Sequence, residues 1–500
     1  MNISYFKNIN LTVLVFISLT LQSQTNSELF EGQVLDTDSK AGLPYVSVFI
    51  KKNQAGTITN EQGTYQLDIS NLSAIDTISF QFIGYKTKNI TLEKLKFQKN
   101  ISLETDVFTI DEVIISNKKI DPEDIVKNVL KNKEQNFYQK ERKKEVFIRE
   151  RYITDVNKID LIYKKSTIEE LNEEALKNFE KNTPKNSTSY FDFLGELYLN
   201  STKKSTEIKM NPIKATELQS KDLAELDQYK KVFTELFSNT GEKEYWKIKS
   251  GIFGEKIDVS NETSKEKDTT YNDKIESRPL SYFKYQINEK SKYASLEDKD
   301  LWEFLHKTNR YEFTLEGTTT IHKESVYKIS FTPKRKGLFE GTLYITTDTN
   351  ALLKATYQYS AGKTGKDFNL FGVGYTESDF NGSIYFEKKD SLYSLKYFTF
   401  NKKYNIRIDR KIALQKKKDR FLFDKKLKEL KIGLNLNLTI QEAMEYFSIN
   451  STTINPKTFE DYKEPENFDV IHIDQFDEKI WKGYHIIEPT KQLKTYKKLQ

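Results

Sequence analysis

At 500 residues the chain exceeds one small domain and, at ~150 residues per domain, suits roughly two to four. Apolar residues make 37% and charged residues 30%, yet 29 Tyr, 33 Phe and 3 Trp supply enough buryable surface to exclude general disorder. Lys+Arg (79) against Asp+Glu (73) leaves +6, small for this length and without the concentrated basic face expected of a dedicated nucleic-acid binder, and zero Cys excludes disulfides, thiolate metal sites, cysteine nucleophiles and an N-terminal lipidated Cys.

In chain order, residues 1–24 read as a signal peptide. Lys7 precedes the apolar run Leu11-Thr-Val-Leu-Val-Phe-Ile-Ser-Leu-Thr-Leu21, and ~11 residues is a signal-peptide core, short of the ~20 that span a bilayer. Leu21-Gln-Ser-Gln-Thr25 places cleavage near residue 24. The expected location is therefore the periplasm, with peripheral contact to the outer membrane as the further expectation.

Residues 27–105 alternate short strands and turns. Strands are expected at Glu31–Leu35, Pro44–Ile50, Gly56–Gly63, Thr64–Ile69 and Ile75–Phe82, with Asp36–Gly42 a polar turn and Gly84-Tyr85 closing the last strand. Turns every ten or so residues with period-2 alternation predict a small β-sandwich. Gly42, Pro44, Gly63 and Gly84 are the expected turn positions. Asp36-x-Asp38 reads as an Asx turn rather than a calcium loop, because Lys40 and Ala41 stand where ligand and glycine would be needed.

The set Gly32-x-Val34, Gly42-Leu-Pro44, Val46-x-Val48, Gly56-Thr57, Thr59-Asn60, Gly63-x-Tyr65 and Gly84-Tyr85 resembles the carboxypeptidase regulatory-like domain. The resemblance implies a transthyretin-like sandwich of the kind found at the N-terminus of Bacteroidota cell-envelope proteins. It implies folding support or protein contact and no catalytic centre. Val46-Ser-Val48 departs from the small Gly-Ala pair frequent in that family.

Residues 106–140 read as an exit strand, Asp106–Ile115, and a linker helix. Asp121 is the N-cap, Pro122 the first helical position, and Glu123 and Asp124 fill the first turn. Residues 141–425 carry long alternating strands, with Phe191, Phe193, Leu197 and Leu199 on one face, then Tyr327, Ile329 and Phe331, then Leu353, Ala355, Tyr357 and Tyr359. Such one-sided sheets need covering helices. Candidates are the stripe Leu223, Leu226, Tyr229, Phe233, Leu236 and Phe237, and Leu301, Trp302 and Leu305 behind Ser295-x-x-Asp298. The meander Tyr311–Tyr357 resembles the lipoprotein-sorting (LolA/LolB-like) half-barrel, which implies a curved sheet around an apolar cavity; a fully packed α+β core is the alternative. Residues 426–500 are expected to hold a short helix from Thr439-Ile-Gln-Glu442 and an irregular tail packing on the sheet.

The expected fold is thus mainly β with accessory helices: a transthyretin-like sandwich, then a larger curved antiparallel-sheet α+β domain, half-barrel-like.

Catalytic patterns fail in turn. No G-x-S-x-G or H-E-x-x-H occurs, and Ser360-Ala-Gly-Lys-Thr364 lacks the first glycine of a phosphate loop, so it reads as a hairpin turn. His485-x-x-Glu488 and His472-x-Asp474 have metal-compatible spacing, but Pro489 pushes Glu488 into extended geometry that separates the first pair. No catalytic, cofactor or metal residue is assigned. Lys416, Lys417, Lys418 and Arg420 form the densest basic run, read as a lysine-protected strand edge or a contact for anionic lipid or polysaccharide. The functional expectation is a non-enzymatic envelope protein that binds an envelope partner or scaffolds it. The alternatives are a carrier of hydrophobic cargo and a hydrolase whose carboxylates the sequence does not single out.

Overall fold

The computed structural model describes residues 28–497 except 54–55, 107–119, 138–140, 202–205, 220–235, 237–242, 252, 258–274, 322–323, 390 and 421–422. The signal segment and most of the exit strand lie outside the described residues, as does the 223–237 stripe apart from Leu236. Two compact units emerge. One holds the chain up to Gln81, Thr87–Leu103 and Glu478–Glu488; the other holds Phe82–Lys86, Glu104–Asp477 and the end of the chain from Pro489.

The first unit contains β1 (Leu29–Asp36), β2 (Ser47–Ile50), β3 (Gly56–Ile58), β4 (Thr64–Asp68), β5 (Thr77–Gln81), β6 (Lys88–Thr91), helix α1 (Leu92–Phe97) and β7 (Asn100–Leu103). Its strands form two sheets, ordered β4-β1-β7 and β3-β2-β5-β6. The alternating sequence turns Val34, Val46, Val48, Tyr65, Ile78, Phe80 and Ile101 fully inward, and Tyr65 meets Phe80 edge-on at 5.5 Å. The β1–β7 pair is parallel. Asp36 Oδ1 accepts from Asp38 N, Ser39 N and Ser39 Oγ, the expected Asx turn.

The tail packs on the large sheet as expected at Phe468, Leu493 and Tyr496, but one segment departs. Glu478–Glu488 belongs to this unit rather than to the large sheet. Its buried Trp481, Ile486 and Ile487 are fixed by Thr57 Oγ1 donating to Ile486 O (3.3 Å) and Asn60 Nδ2 donating to Glu488 O (3.0 Å). An irregular segment that buries side chains must also satisfy its backbone carbonyls, and Thr57 and Asn60 supply the donors.

The second unit opens with α2 (Pro122–Lys131) and α3 (Lys133–Phe137). Asp121 caps α2 through Glu123 N, and Ile125, Val126 and Val129 turn inward. One mixed sheet of 15 strands follows: β8 (Arg142–Ser166), β9 (Asn186–Ser201), β10 (Thr206–Gln219), β11 (Glu244–Ser250), β12 (Phe253–Ile257), β13 (Ile275–Pro279), β14 (Tyr311–Ile321), β15 (Glu324–Pro333), β16 (Phe339–Thr346), β17 (Leu352–Tyr359), β18 (Asp367–Leu370), β19 (Val373–Lys389), β20 (Leu392–Lys418), β21 (Lys425–Thr453) and β22 (Asn467–His472). The order β13-β22-β10-β9-β8-β21-β20-β19-β17-β16-β15-β14 leaves the curved sheet open, with β11 beside β20 and β18 beside β19. Every pair is antiparallel except β10–β22, so the expected antiparallel sheet is in fact mixed.

Covering elements are α4 (Glu173–Asn182), α5 (Leu280–Ser291), α6 (Glu303–His306), α7 (Pro456–Asp461) and α8 (Lys491–Thr495). The helix expected behind Ser295 is only the single turn α6; Asp298 Oδ1 instead accepts from Asp300 N and Leu301 N and holds a turn. Trp302 and Phe304 there meet Phe331 and Tyr357, with ring centroids 4.4–5.5 Å apart. The meander face is therefore packed aromatic core, the alternative to a cavity at this place. Gly362 (φ 75°) sits in the expected turn at 360–364. Among the described residues no helix is long and apolar enough to cross a membrane.

The largest departure is at 425–453. The helix expected from Thr439 is part of the 29-residue strand β21, paired along its length with β20 and β8. The T-x-x-E pattern is a local signal of about 1 kcal/mol. Two continuous ladders and a period-2 apolar face outweigh it.

Candidate functional site

Strand β21 carries Leu430, Ile432, Leu434, Leu436, Leu438 and Ile440 at every second position, alternating with Lys431, Gly433, Asn435, Asn437, Thr439 and Gln441. Period 2 puts the first set on one face and the second on the other. The register extends both. Leu438 pairs Ile406 and Leu436 pairs Ile408 on β20; on β8 they pair Val156 and Ile159, with Leu434 opposite Leu161. Val373 of β19 stands opposite Ile408. Val156 and Ile159 are an odd number of residues apart, and the register shift between Asn437 and Leu438 keeps both on the aliphatic face. On the reverse face Asn405 Nδ2 donates to Asn437 Oδ1 (2.7 Å), and Asn157 Nδ2 donates to Thr439 Oγ1 (2.8 Å).

These aliphatic side chains are half-buried rather than sealed. At ~3.3 Å per residue and ~4.8 Å per strand, the face from Ile432 to Ile440 across four strands measures on the order of 26 Å by 14 Å. One end closes on the core of Ile168, Leu171, Leu176, Leu236, Trp246, Leu414 and Leu430.

The other end is polar. Lys290 of α5 reaches Glu150 (2.7 Å), Glu442 (3.5 Å) and the Tyr152 hydroxyl (2.5 Å). Tyr152 donates to Glu442 Oε1 (3.2 Å), and Lys402 reaches Glu442 (3.5 Å) and Tyr293 OH (3.2 Å). Burial raises the Glu150 carboxyl above its ordinary range, with the Lys290 charge acting against it. Burial, then the Glu150 and Glu442 charges, raise Tyr152 as well. Tyr359 and Tyr375 donate to Glu377 beside them. Convergent carboxylates are what a hydrolase would require, but here a lysine from the covering helix holds both in ion pairs. The cluster's chemistry is to pin α5 to the sheet and give the aliphatic face a hydrogen-bonding end.

The residues singled out by sequence fall elsewhere. Gly42 bridges Leu35, and a Cβ there would lie 2.1 Å from Gln62 O. Pro44 starts a turn completed by Tyr45 at φ 61°; Gly63 and Gly84 have φ 77° and 86°. Lys416, Lys417 and Lys418 do not form an edge, since β20 is flanked there by β11 and β21. Lys416 pairs with Glu244 (2.8 Å), Lys417 lies 3.9 Å from Asp424, and Lys418 and Arg420 are exposed. Neighbouring strands that carry acids neutralise a run that looks free in one dimension.

Neither metal spacing is used. His485 lies in the first unit, and His472 meets Glu276 (Nε2, 3.0 Å) and Glu217 (Nδ1, 3.5 Å) rather than Asp474. These three groups lie within 4.8 Å of one another and have a donor set suited to zinc. The Arg278 guanidinium already donates to Glu276 (2.7 and 2.9 Å) and to Glu217. His472 first, then Arg278, hold Glu276 down to about 2 against the opposing pull of burial. The site is a charge-compensated clasp of β10, β13 and β22. The six-fold alternation Leu430–Ile440 is the signal that sequence reasoning missed.

The fold so described is a small two-sheet sandwich followed by an open curved sheet with one aliphatic face. Residues 30–115 match the family model of the CarboxypepD_reg-like domain, in agreement with the glycine-rich set Gly32 to Tyr85. Among solved structures, a domain assigned to outer membrane lipoprotein sorting from Vibrio parahaemolyticus is similar at 7% identity, with 68% of this chain and 97% of that chain covered and a TM-score of 0.20. A DUF1329 family protein from Desulfovibrio piger shows 9% identity, 68% and 98% coverage and a TM-score of 0.19. The MucA/MucB complex of Pseudomonas aeruginosa shows 8% identity, 65% and 93% coverage and a TM-score of 0.17. At these scores the likenesses bear on neither mechanism nor ligand. No curated protein matches the chain.

Proposed function

We propose that this chain is an exported, non-catalytic binding protein of the cell envelope that holds an apolar ligand, such as an acyl chain, against the β8–β21–β20 face. The observation that carries the reading is the half-buried aliphatic row Ile432–Ile440 with its neighbours Ile406, Ile408, Val156 and Ile159, backed by an Asn/Thr face. A contiguous aliphatic face left half-buried rather than sealed into a core is what a ligand-binding surface requires. A chain laid along the strands would gain about 0.8 kcal/mol per buried CH₂. The apolar run Leu11–Leu21 and the CarboxypepD_reg-like match support the envelope address.

Two measurements test this. Native mass spectrometry of protein purified from its own envelope should show a co-purified apolar adduct. Leu436→Glu should reduce binding of the probe N-phenylnaphthylamine at least about tenfold with an unchanged melting temperature, because a carboxylate on that face repels hydrocarbon. Equal probe binding by the variant and its parent would sink the proposal.

A further inference from the structure

We propose that the β18–β19 hairpin, Asp367–Tyr375, is a membrane-contact element that seats its apolar tip in the interface of an anionic lipid bilayer. Leu370 pairs Val373, so the connection is the two-residue turn Phe371-Gly372, with φ of 50° and 79°. Turns with both central residues at positive φ favour Asn-Gly, and a bulky aromatic at the first position is a rare and strained choice. The ring is not recovered as core, since Phe371 is 69% exposed. Phe368 (46%) and Leu370 (57%) stand beside it, and all four residues of β18 are exposed. Among the described residues β18 pairs with β19 alone. An apolar edge strand of this kind is a liability in water unless something covers it.

A lipid surface fits this tip better than a protein does. Three apolar side chains on one short hairpin lying against β20 fall well short of the ~800 Å² per partner that a specific protein interface needs. Aromatic and leucyl side chains at a tip are suited to the headgroup–acyl boundary. Cations flank the hairpin along its length. Arg410 Cγ would lie 3.3 Å from a Cβ on Gly372 at the turn, where its guanidinium donates to Ser250 O, Arg407 donates to Thr376, and Lys366 at the base and Lys411 beyond the turn are exposed. Against these four stand the exposed Asp367 and Asp409 and the Glu377 carboxylate that accepts from Lys366 N. The tip also continues the aliphatic face: Phe368 stacks on Tyr375 (5.7 Å), and Tyr375 meets Tyr404 (5.5 Å).

The inference does not rest on cargo binding, and the experiment separates the two. The full chain is sedimented with phosphatidylglycerol-containing vesicles and with phosphatidylcholine vesicles. The parent should partition onto the anionic vesicles, less so as salt rises. The double variant Leu370→Thr/Phe371→Asn, whose Asn-Gly turn suits the hairpin, should bind about tenfold more weakly with an unchanged melting temperature. In Phe371→Trp the new exposed indole should shift to the blue on vesicles and be quenched by brominated lipid. Leu436→Glu should leave vesicle binding intact. Equal vesicle binding by parent and double variant would overturn the inference. So would a parent that ignores both vesicles, including one whose tip instead drives self-association, or vesicle binding lost in Leu436→Glu alone.

Discussion

Lys354 offers the sharpest thermodynamic test of the large unit. It lies on β17 opposite Tyr344 and Tyr385, is 6% exposed, and holds its ammonium 3.5 Å from the centre of the Phe82 ring. Among the described residues no carboxylate comes within ion-pair range, and burial pulls its pKa from 10.5 down to about 7. The unfolded chain therefore binds a proton more readily than the folded one between these values, so stability rises with pH across that window. At roughly 1.4 kcal/mol per unit, linkage gives a gain of about 2.5 kcal/mol from pH 7.5 to 9.5. Attraction between the ammonium and the Phe82 ring favours the charged form and trims this by about 0.5–2 kcal/mol. Lys354→Met keeps the stem's volume and removes the proton. Urea unfolding of parent and variant at pH 7.5, 8.5 and 9.5 should show the variant more stable at pH 7.5, with the gap closing as pH rises. Parallel stability–pH lines for the two proteins would refute the reasoning.

Three further outcomes follow from the same geometry. Asp192 takes a forked pair of bonds from Arg149 (2.8 and 2.7 Å), both side chains being buried; Asp192→Asn should cost about 3–5 kcal/mol in urea unfolding, while Arg149→Met/Asp192→Leu recovers most of it. Glu276, held at about 2, contributes stability above its ordinary 4.5 that is lost as pH falls through 2. Acid unfolding of Glu276→Gln should accordingly be shallower across that range. Gly84→Val should lower the melting temperature, with about 1–3 kcal/mol lost to strain, because φ is 86° and a Cβ would lie 3.0 Å from Tyr344 OH.

What the sequence determined by itself is what neighbours in the chain can decide. The Asx turn at Asp36, the Asp121 cap and the turns at Gly63 and Gly84 all rest on contacts a few residues apart. The CarboxypepD_reg-like domain was legible for the same reason, since its glycines mark local turns. The aliphatic face was half legible: the alternation Leu430–Ile440 is written in the chain, but its extension over β8 and β20 is set by register with strands far away in sequence. Tertiary structure alone decided that Thr439–Phe447 is strand, that Lys416 faces Glu244, that His472 meets Glu217 and Glu276, and that Glu478–Glu488 leaves the large unit. A capping box or a run of like charges is worth about 1 kcal/mol locally. Ladder pairing and apolar burial sum over dozens of residues from distant parts of the chain, and that larger sum fixes which face each side chain meets.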